Sequence, residues 1–259
     1  PMKLDNTTEG FNTVTWVGNG VGQKIGGVGF SPDLVWIKSR DEGATSYTGH
    51  NVVQDTVRGV GTNTALITNE TYSEAGTGYS DAVTAFNTDG FTLGGRNQVN
   101  YNGDAFVGWC WDAGDTTVSN TDGSITSSVR ANPAYGFSVV TYTGTGANAT
   151  VGHGLGAAPS MVIVKSRSVA LRGWVVWHSA FAATEAIEFD TAAKVTSTTS
   201  WNSTLPSSTV ISLGTRLGTN ESAAHYVAYC FSEIAGYSKF GSYTGTGASG
   251  NAVTTGFKP

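Results

Sequence analysis

Charge is scarce in this sequence: only 13% of its 259 residues are Asp, Glu, Lys or Arg, and the formal net charge is -5. No run of Lys and Arg is longer than two adjacent residues. A nucleic-acid groove replaces phosphate counterions with clustered basic side chains, so no nucleic-acid partner is expected. Long apolar runs are missing too; none approaches the ~20 residues of a membrane-spanning helix, so no membrane insertion is expected. Cysteine is limited to Cys110 and Cys230, which allows one disulfide at most. The sequence has no Cys-x-x-Cys and no Gly-x-Ser-x-Gly, and no two of its 4 histidines are spaced i, i+4. The usual signatures of a zinc site and of a serine-hydrolase elbow are therefore absent.

Glycine and apolar residues are abundant. Gly occurs 35 times, and 39% of residues are apolar, with 11% aromatic. That is enough to build sizeable cores. Glycine and asparagine between short apolar runs point to many tight turns, since both tolerate positive φ. Strand-like runs recur at 12–17, 33–38, 51–57, 63–68, 82–87, 104–111, 137–143, 160–166, 173–178, 185–190, 208–213 and 224–231. Ser179 to Thr184 is expected to hold a helical turn. The pattern predicts an all-β chain of tandem β-sandwich or jelly-roll-like modules.

The runs repeat. Phe11-Asn-Thr-Val-Thr-Trp-Val-Gly-Asn-Gly20 aligns with Phe137-Ser-Val-Val-Thr-Tyr-Thr-Gly-Thr-Gly146, and more loosely with Phe240-Gly-Ser-Tyr-Thr-Gly-Thr-Gly247. Pro32-Asp-Leu-Val-Trp-Ile-Lys-Ser-Arg40 aligns with Pro159-Ser-Met-Val-Ile-Val-Lys-Ser-Arg167. Phe91-Thr-Leu-Gly94 matches Ile211-Ser-Leu-Gly214, and Asn100 matches Asn220. Phe106-Val-Gly-Trp-Cys-Trp111 matches Tyr226-Val-Ala-Tyr-Cys-Phe231. A cysteine recurring once per copy is a small core residue; a bridge between the copies would have to join two separate cores. Unbroken apolar runs such as Leu34 to Ile37 imply strands buried on both faces. The expected modules are 1–128, 129–239 and the start of a third copy at 240–259, with 112–133 as a linker or an inserted hairpin. The ends at Pro1 and Pro259 suggest a piece of a longer chain, and the polar start is not a signal peptide.

Together these motifs, with Asp55-Thr-Val-Arg-Gly59, Asp89-Gly-Phe-Thr-Leu-Gly94, Gly152-His-Gly-Leu-Gly156 and Glu233-Ile-Ala-Gly-Tyr-Ser-Lys-Phe-Gly-Ser-Tyr-Thr-Gly245, resemble a repeat module of tailed-phage virion proteins. Such modules occur in tail-fibre-like proteins of marine and cyanobacterial phages. The resemblance covers nearly all of 8–259. It implies a β-sandwich repeat and a place on the virion, but no catalytic residue. The second copy lacks the Asp-x-Val-Arg-Gly motif and carries Trp174-Val-Val-Trp-His178 in that region, so a role for Arg58 would belong to the first copy.

No catalytic residue, metal site or cofactor is predicted. His153 reads as a turn histidine satisfied by backbone, and His178 as the polar end of a strand. Gly245-Thr-Gly-Ala-Ser-Gly250 matches a dinucleotide fingerprint by chance, because no helix pattern follows it. Asp112, Asp115, Glu185, Glu188 and Asp190 could supply a glycosidase pair, although Glu188 and Asp190 read as a solvated strand face. Asn87-Thr-Asp-Gly90 and Asn120-Thr-Asp-Gly123 are turn sequences without the ligand density of a calcium loop. Tyr47, Tyr72, Tyr79, Tyr101 and Trp201 lie in polar loops and are the ligand-binding candidates, as exposed rings able to stack on sugars or on protein.

Three functions follow as expectations. The first is a structural virion protein, a tail-fibre or surface-appendage segment that packs against copies of itself (as a trimer if fibrous) and against other virion proteins. A capsid decoration protein is a variant of it. The second is a module binding host-surface glycan; the third is a glycan hydrolase.

Overall fold

Alternating side chains give each long strand two faces, and here both faces are apolar. In the strand Leu34–Ser39, Val35 and Ile37 point to one side and Leu34 and Trp36 to the other. In Met161–Ser166, Val162 and Val164 take one side, Met161 and Ile163 the other. Such strands need a layer on each face. The computed structural model, which describes residues 10–41, 49–189 and 194–257, supplies both layers.

The first copy contains β1 (Phe11–Val17), β2 (Gln23–Gly26), β3 (Leu34–Ser39), β4 (Val52–Asp55), β5 (Leu66–Ile67), the one-turn helix α1 (Glu74–Thr77), β6 (Val83–Asn87), β7 (Gly90–Leu93), the one-turn α2 (Asn97–Asn100) and β8 (Ala105–Trp111). They form a sheet β1-β8-β3-β4-β5 facing a smaller sheet β2-β7-β6. Next come β9 (Thr117–Asn120) and β10 (Ser127–Asn132). The second copy holds β11 (Phe137–Thr143), β12 (Ala149–Gly152), β13 (Met161–Ser166), β14 (Val175–His178), β15 (Glu185–Glu188), β16 (Val195–Thr196), β17 (Val210–Leu213), the one-turn α3 (Leu217–Asn220) and β18 (His225–Phe231). Its large sheet runs β16-β15-β14-β13-β18-β11-β10-β9, and β12-β17 covers the inner face. The named ladders are antiparallel, and β1-β8-β3-β4 repeats as β11-β18-β13-β14. The chain is all-β in sandwich-like layers.

Each copy closes on the same buried asparagine. Asn100 accepts from Asn19 N at 2.9 Å and donates to Gly94 O at 2.8 Å and to Val21 O. Asn220 accepts from Thr145 N at 2.8 Å and donates to Gly214 O at 2.8 Å and Ala147 O at 2.6 Å. These bonds hold the Gly-x-Gly turn after the first strand. The second glycine of the turn is left-handed, at φ 73° for Gly20 and 72° for Gly146. The first admits no side chain: a Cβ would lie 2.1 Å from Tyr101 O at Gly18 and 2.3 Å from Glu221 O at Gly144. Beneath the turn an aromatic pair stacks in each copy, Trp16 on Phe106 at 11° and Tyr142 on Tyr226 at 13°. Trp16 Nε1 donates to Val99 O and Tyr142 OH to Thr219 O, at matching places.

A third core lies between the copies. Leu34, Val53, Leu66, Phe137, Val139, Ile163, Trp174, Val176, Val227 and Tyr229 pack the two large sheets together by their outer faces. Each large side chain buried there contributes roughly 1.5–3 kcal/mol. Arg58 crosses this seam. Its Nε donates to Asp55 Oδ2 at 2.5 Å, Nη1 to Thr64 O at 2.5 Å and Glu74 Oε1 at 2.9 Å, and Nη2 to Tyr229 OH at 3.1 Å. Tyr229 donates in turn to Asp55 Oδ2 at 2.8 Å. Arg167 Nε reaches Glu74 at 2.9 Å, and Trp174 Nε1 donates to Ile67 O at 2.8 Å. Burial works against the Arg58 charge, but Asp55, Tyr229 and Glu74 outweigh it and hold the guanidinium pKa above its ordinary value.

Cys110 belongs to the first sandwich core and Cys230 to the second; both are free thiols, pushed up to about 12 by burial. Of the two readings of 112–133, the inserted hairpin is the one the fold adopts. It belongs to the second module: β10 pairs with β11, and Ile125 and Val129 enter the second core, so a boundary at 128 cuts through β10. Residues 240–257 form no strand. In both full copies the opening strands pair with strands from the end of the same copy (β1 with β8, β2 with β7, β11 with β18, β12 with β17), and no such partner follows residue 240 among the described residues. Ser179 to Thr184 makes turns rather than a helical turn, with Phe181 N on His178 O.

Replacing Asn220 with Ala removes the acceptor of Thr145 N and the donor to Ala147 O, both part-buried bonds, and leaves the buried Gly214 carbonyl unpaired. We expect a loss of about 2–4 kcal/mol in urea unfolding, against less than ~0.5 kcal/mol for an exposed control such as Thr246→Ala.

Candidate functional site

A polar concavity of the described surface opens on the first module. It has a volume of about 620 Å³ and is lined by His50, Tyr79, Asp81, Arg96, Asn97 and Gln98. That volume falls within the ~300–1,000 Å³ typical of small-ligand sites. Ser73 caps α1, and Gly78, left-handed at φ 62°, turns the chain toward Tyr79. Arg96 caps α2 through its carbonyl, which accepts from Val99 N and Asn100 N. The Asn100 clamp thereby also fixes Asn97 and Gln98. Arg96 lies 4.9 Å above the Tyr79 ring, donates from Nε to Asp81 at 3.0 Å and from Nη2 to Gly78 O at 2.7 Å. His50 faces Glu70 at 3.9 Å. Burial raises the Tyr79 pKa, with Tyr72 and Glu70 adding to the rise and Arg96 opposing it. Gln98 is 5% exposed, and its side-chain carbonyl has no hydrogen-bond partner.

The five aromatic candidates separate. Tyr72 is 43% exposed but does not line this concavity. Tyr79 lines it, but at 7% exposure belongs to the first core and offers no open ring face. Tyr101 is half-buried against that core, beside the Gly-x-Gly turn. Trp201 is 3% exposed and lies in the second core. The expectation of an exposed ring fails there for a packing reason. Ser200 O bonds Gly214 N as Ala82 O bonds Gly94 N, so Trp201 takes the place of Val83 on β6. With only β12 and β17 in its small sheet, the second module fills that space with one large loop side chain. Tyr47 lies outside the described residues. His50, Asp81, Arg96 and Gln98 had no motif to mark them; the only sequence signal was that Asn97-Gln98 stands where the second copy has Leu217-Gly218.

Between the copies a smaller aromatic cleft of about 200 Å³ is lined by Phe11, Trp111, Phe137, Phe231 and Phe240. Ring centroids 4.9–6.4 Å apart make it a continuation of the seam.

The remaining ionisable candidates are engaged in local structure. Glu185 pairs with Lys194 at 2.6 Å and Glu188 with Arg216. Asp112 accepts from Gly114 N, Asp115 is exposed, and Asp190 lies outside the described residues. Asp89 accepts from Gly27 N and Gly29 N, and Asn120 and Asp122 bond each other. His178 ends β14, its Nδ1 accepting from Ala180 N. His153 is fully buried; its Nδ1 accepts from Leu155 N, so Nε2 carries the proton toward Ser207 O at 3.2 Å.

A family profile matches residues 6–259, both modules and the segment after them. The chain belongs to the family described as a domain of unknown function, DUF7483. The DUF7483 profile treats the two sandwiches as one unit, in keeping with the shared core between them. No match was found among curated proteins or among solved structures.

Burial lowers the His153 pKa below its ordinary 6.5. The unfolded chain therefore binds this proton first as pH falls. The stability that the neutral ring contributes is complete above pH 6.5 and is lost as pH drops toward the folded value. We expect the melting temperature to fall between pH 7 and 5, and the slope to be shallower in His153→Gln; an equal slope in both proteins would contradict this assignment.

Proposed function

We propose that this chain is a structural segment of a tailed-phage virion, a tail-fibre or surface-appendage piece that presents its modules outward and packs against copies of itself. One observation carries the reading. The motifs shared with virion repeat modules are scaffold: the Gly-x-Gly turn and Asn100/Asn220 close each sandwich, and Asp55-Thr-Val-Arg-Gly59 joins the two. A block joined through its sheets suits a load-bearing, repeating particle component better than a catalyst, which needs converging reactive groups. Lateral contact has an available edge. Among the described residues β1 ends its sheet, whereas the equivalent β11 carries β10 and β9. Edge strands are natural sites for pairing with another chain. A capsid decoration protein would use the same features.

Glycan recognition is the second reading, favoured by the polar concavity beside Tyr79. A hydrolase is disfavoured because Glu185 and Glu188 are each engaged by a cation.

Antibodies against the recombinant chain should label purified particles at a defined, repeated position, and sedimentation should show a self-associated species, trimeric if the particle part is a fibre. Recovery of the chain only as a soluble monomer outside particles would reject the proposal.

A further inference from the structure

We infer that the concavity beside Tyr79 is a binding site for a neutral sugar. This deepens the glycan-recognition reading and rests on it. The first argument is that the fold does not need Asp81, Asn97 and Gln98, which line the site. The second module builds the same turn around Asn220, keeping Arg216 in the place of Arg96. It has Leu217 and Gly218 where the first module has Asn97 and Gln98, and Thr199 where the first has Asp81. There Arg216 is engaged by Glu188 and Ser200. The polar lining therefore belongs to the first module alone.

The second argument is the Gln98 carbonyl. A buried acceptor without a donor costs stability. The second module avoids that cost with Gly218, so the first keeps a group that scaffolding does not explain. The oxygen is buried in the wall of the concavity, and a small side-chain shift would bring it to a donor of a bound molecule.

The third argument is the charge balance. Arg96 is countered by Asp81, and His50 faces Glu70. The chain as a whole carries -5. Among the described lining residues an anionic ligand meets no uncompensated cation, and a cationic one no uncompensated carboxylate. What remains is a mixed set of donors and acceptors: the Asp81 carboxylate, the Asn97 and Gln98 amides and the guanidinium edge. Vicinal hydroxyls, which donate and accept at once, match such a set.

Saturation-transfer NMR on the full chain tests this, with methyl glycosides of galactose, glucose and mannose and with N-acetylglucosamine as probes, and sialic acid as the charged comparison. At least one neutral probe should bind in the millimolar range or tighter. Asp81→Asn and Gln98→Gly should each weaken it by about ten-fold or more, the effect of losing one well-placed hydrogen bond. Asp81→Asn keeps the side chain's size at a partly exposed position, so the test stands if Gln98→Gly is destabilised. No transfer from any neutral probe, binding unchanged in Asp81→Asn, or tighter binding of sialic acid would overturn the inference. A chain located in particles but silent toward these sugars would reject this inference and leave the virion proposal in place.

Discussion

The structure depends on what happens at Arg58. A guanidinium buried between two sheets is costly unless every N–H finds an acceptor and its charge a counter-ion. Asp55 and Glu74 supply the charge, Thr64 O and Val53 O the backbone acceptors, and Tyr229 the contact from the other copy. Around that polar centre the seam is apolar, with Trp174 filling the face opposite Ile67. Two sandwiches that could each have presented a polar outer face instead share a core. That sharing makes β3, β8, β13 and β18 apolar on both faces, and it fixes the orientation of one module on the other.

The same constraint explains where the copies diverge. Residues inside each sandwich are held alike by the fold: the clamping asparagine, the stacked aromatic pair and the buried cysteine all recur. Residues at the seam face non-equivalent partners, so Asp55-Thr-Val-Arg-Gly59 in one copy meets Tyr229 of the other, and Ile67 O meets Trp174. Divergence at the seam marks an interface rather than drift. Divergence at Asn97-Gln98 lies instead at the wall of the first module's concavity, where the proposed sugar would sit.

Much of the fold was legible because period-two burial and paired motifs leave a strong trace. The span 137–143 coincides with β11, and most other predicted strands shift by only one to three residues at their ends. The strands missed as such, β2, β7, β9, β10, β12 and β16, are short or polar on at least one face, so their alternation resembles loop composition. The candidate site was much less legible. A tryptophan among Ser and Thr reads as exposed, yet Trp201 is a core plug because the second module lacks a third strand in its small sheet. Arg96 and Asp81 come together only through the Asn100 clamp and the turn at Gly78, which no local pattern announces.

The central claim is that the two modules are one cooperative unit held at Arg58. Differential scanning calorimetry of the full chain and of Arg58→Ala tests it most directly. The account predicts a single transition for the native sequence, with calorimetric and van't Hoff enthalpies in agreement. It also predicts a loss of about 3–5 kcal/mol on substitution, from a buried Asp55 left without its guanidinium partner. Two independent transitions in the native sequence, or an unchanged melting temperature in Arg58→Ala, would contradict it.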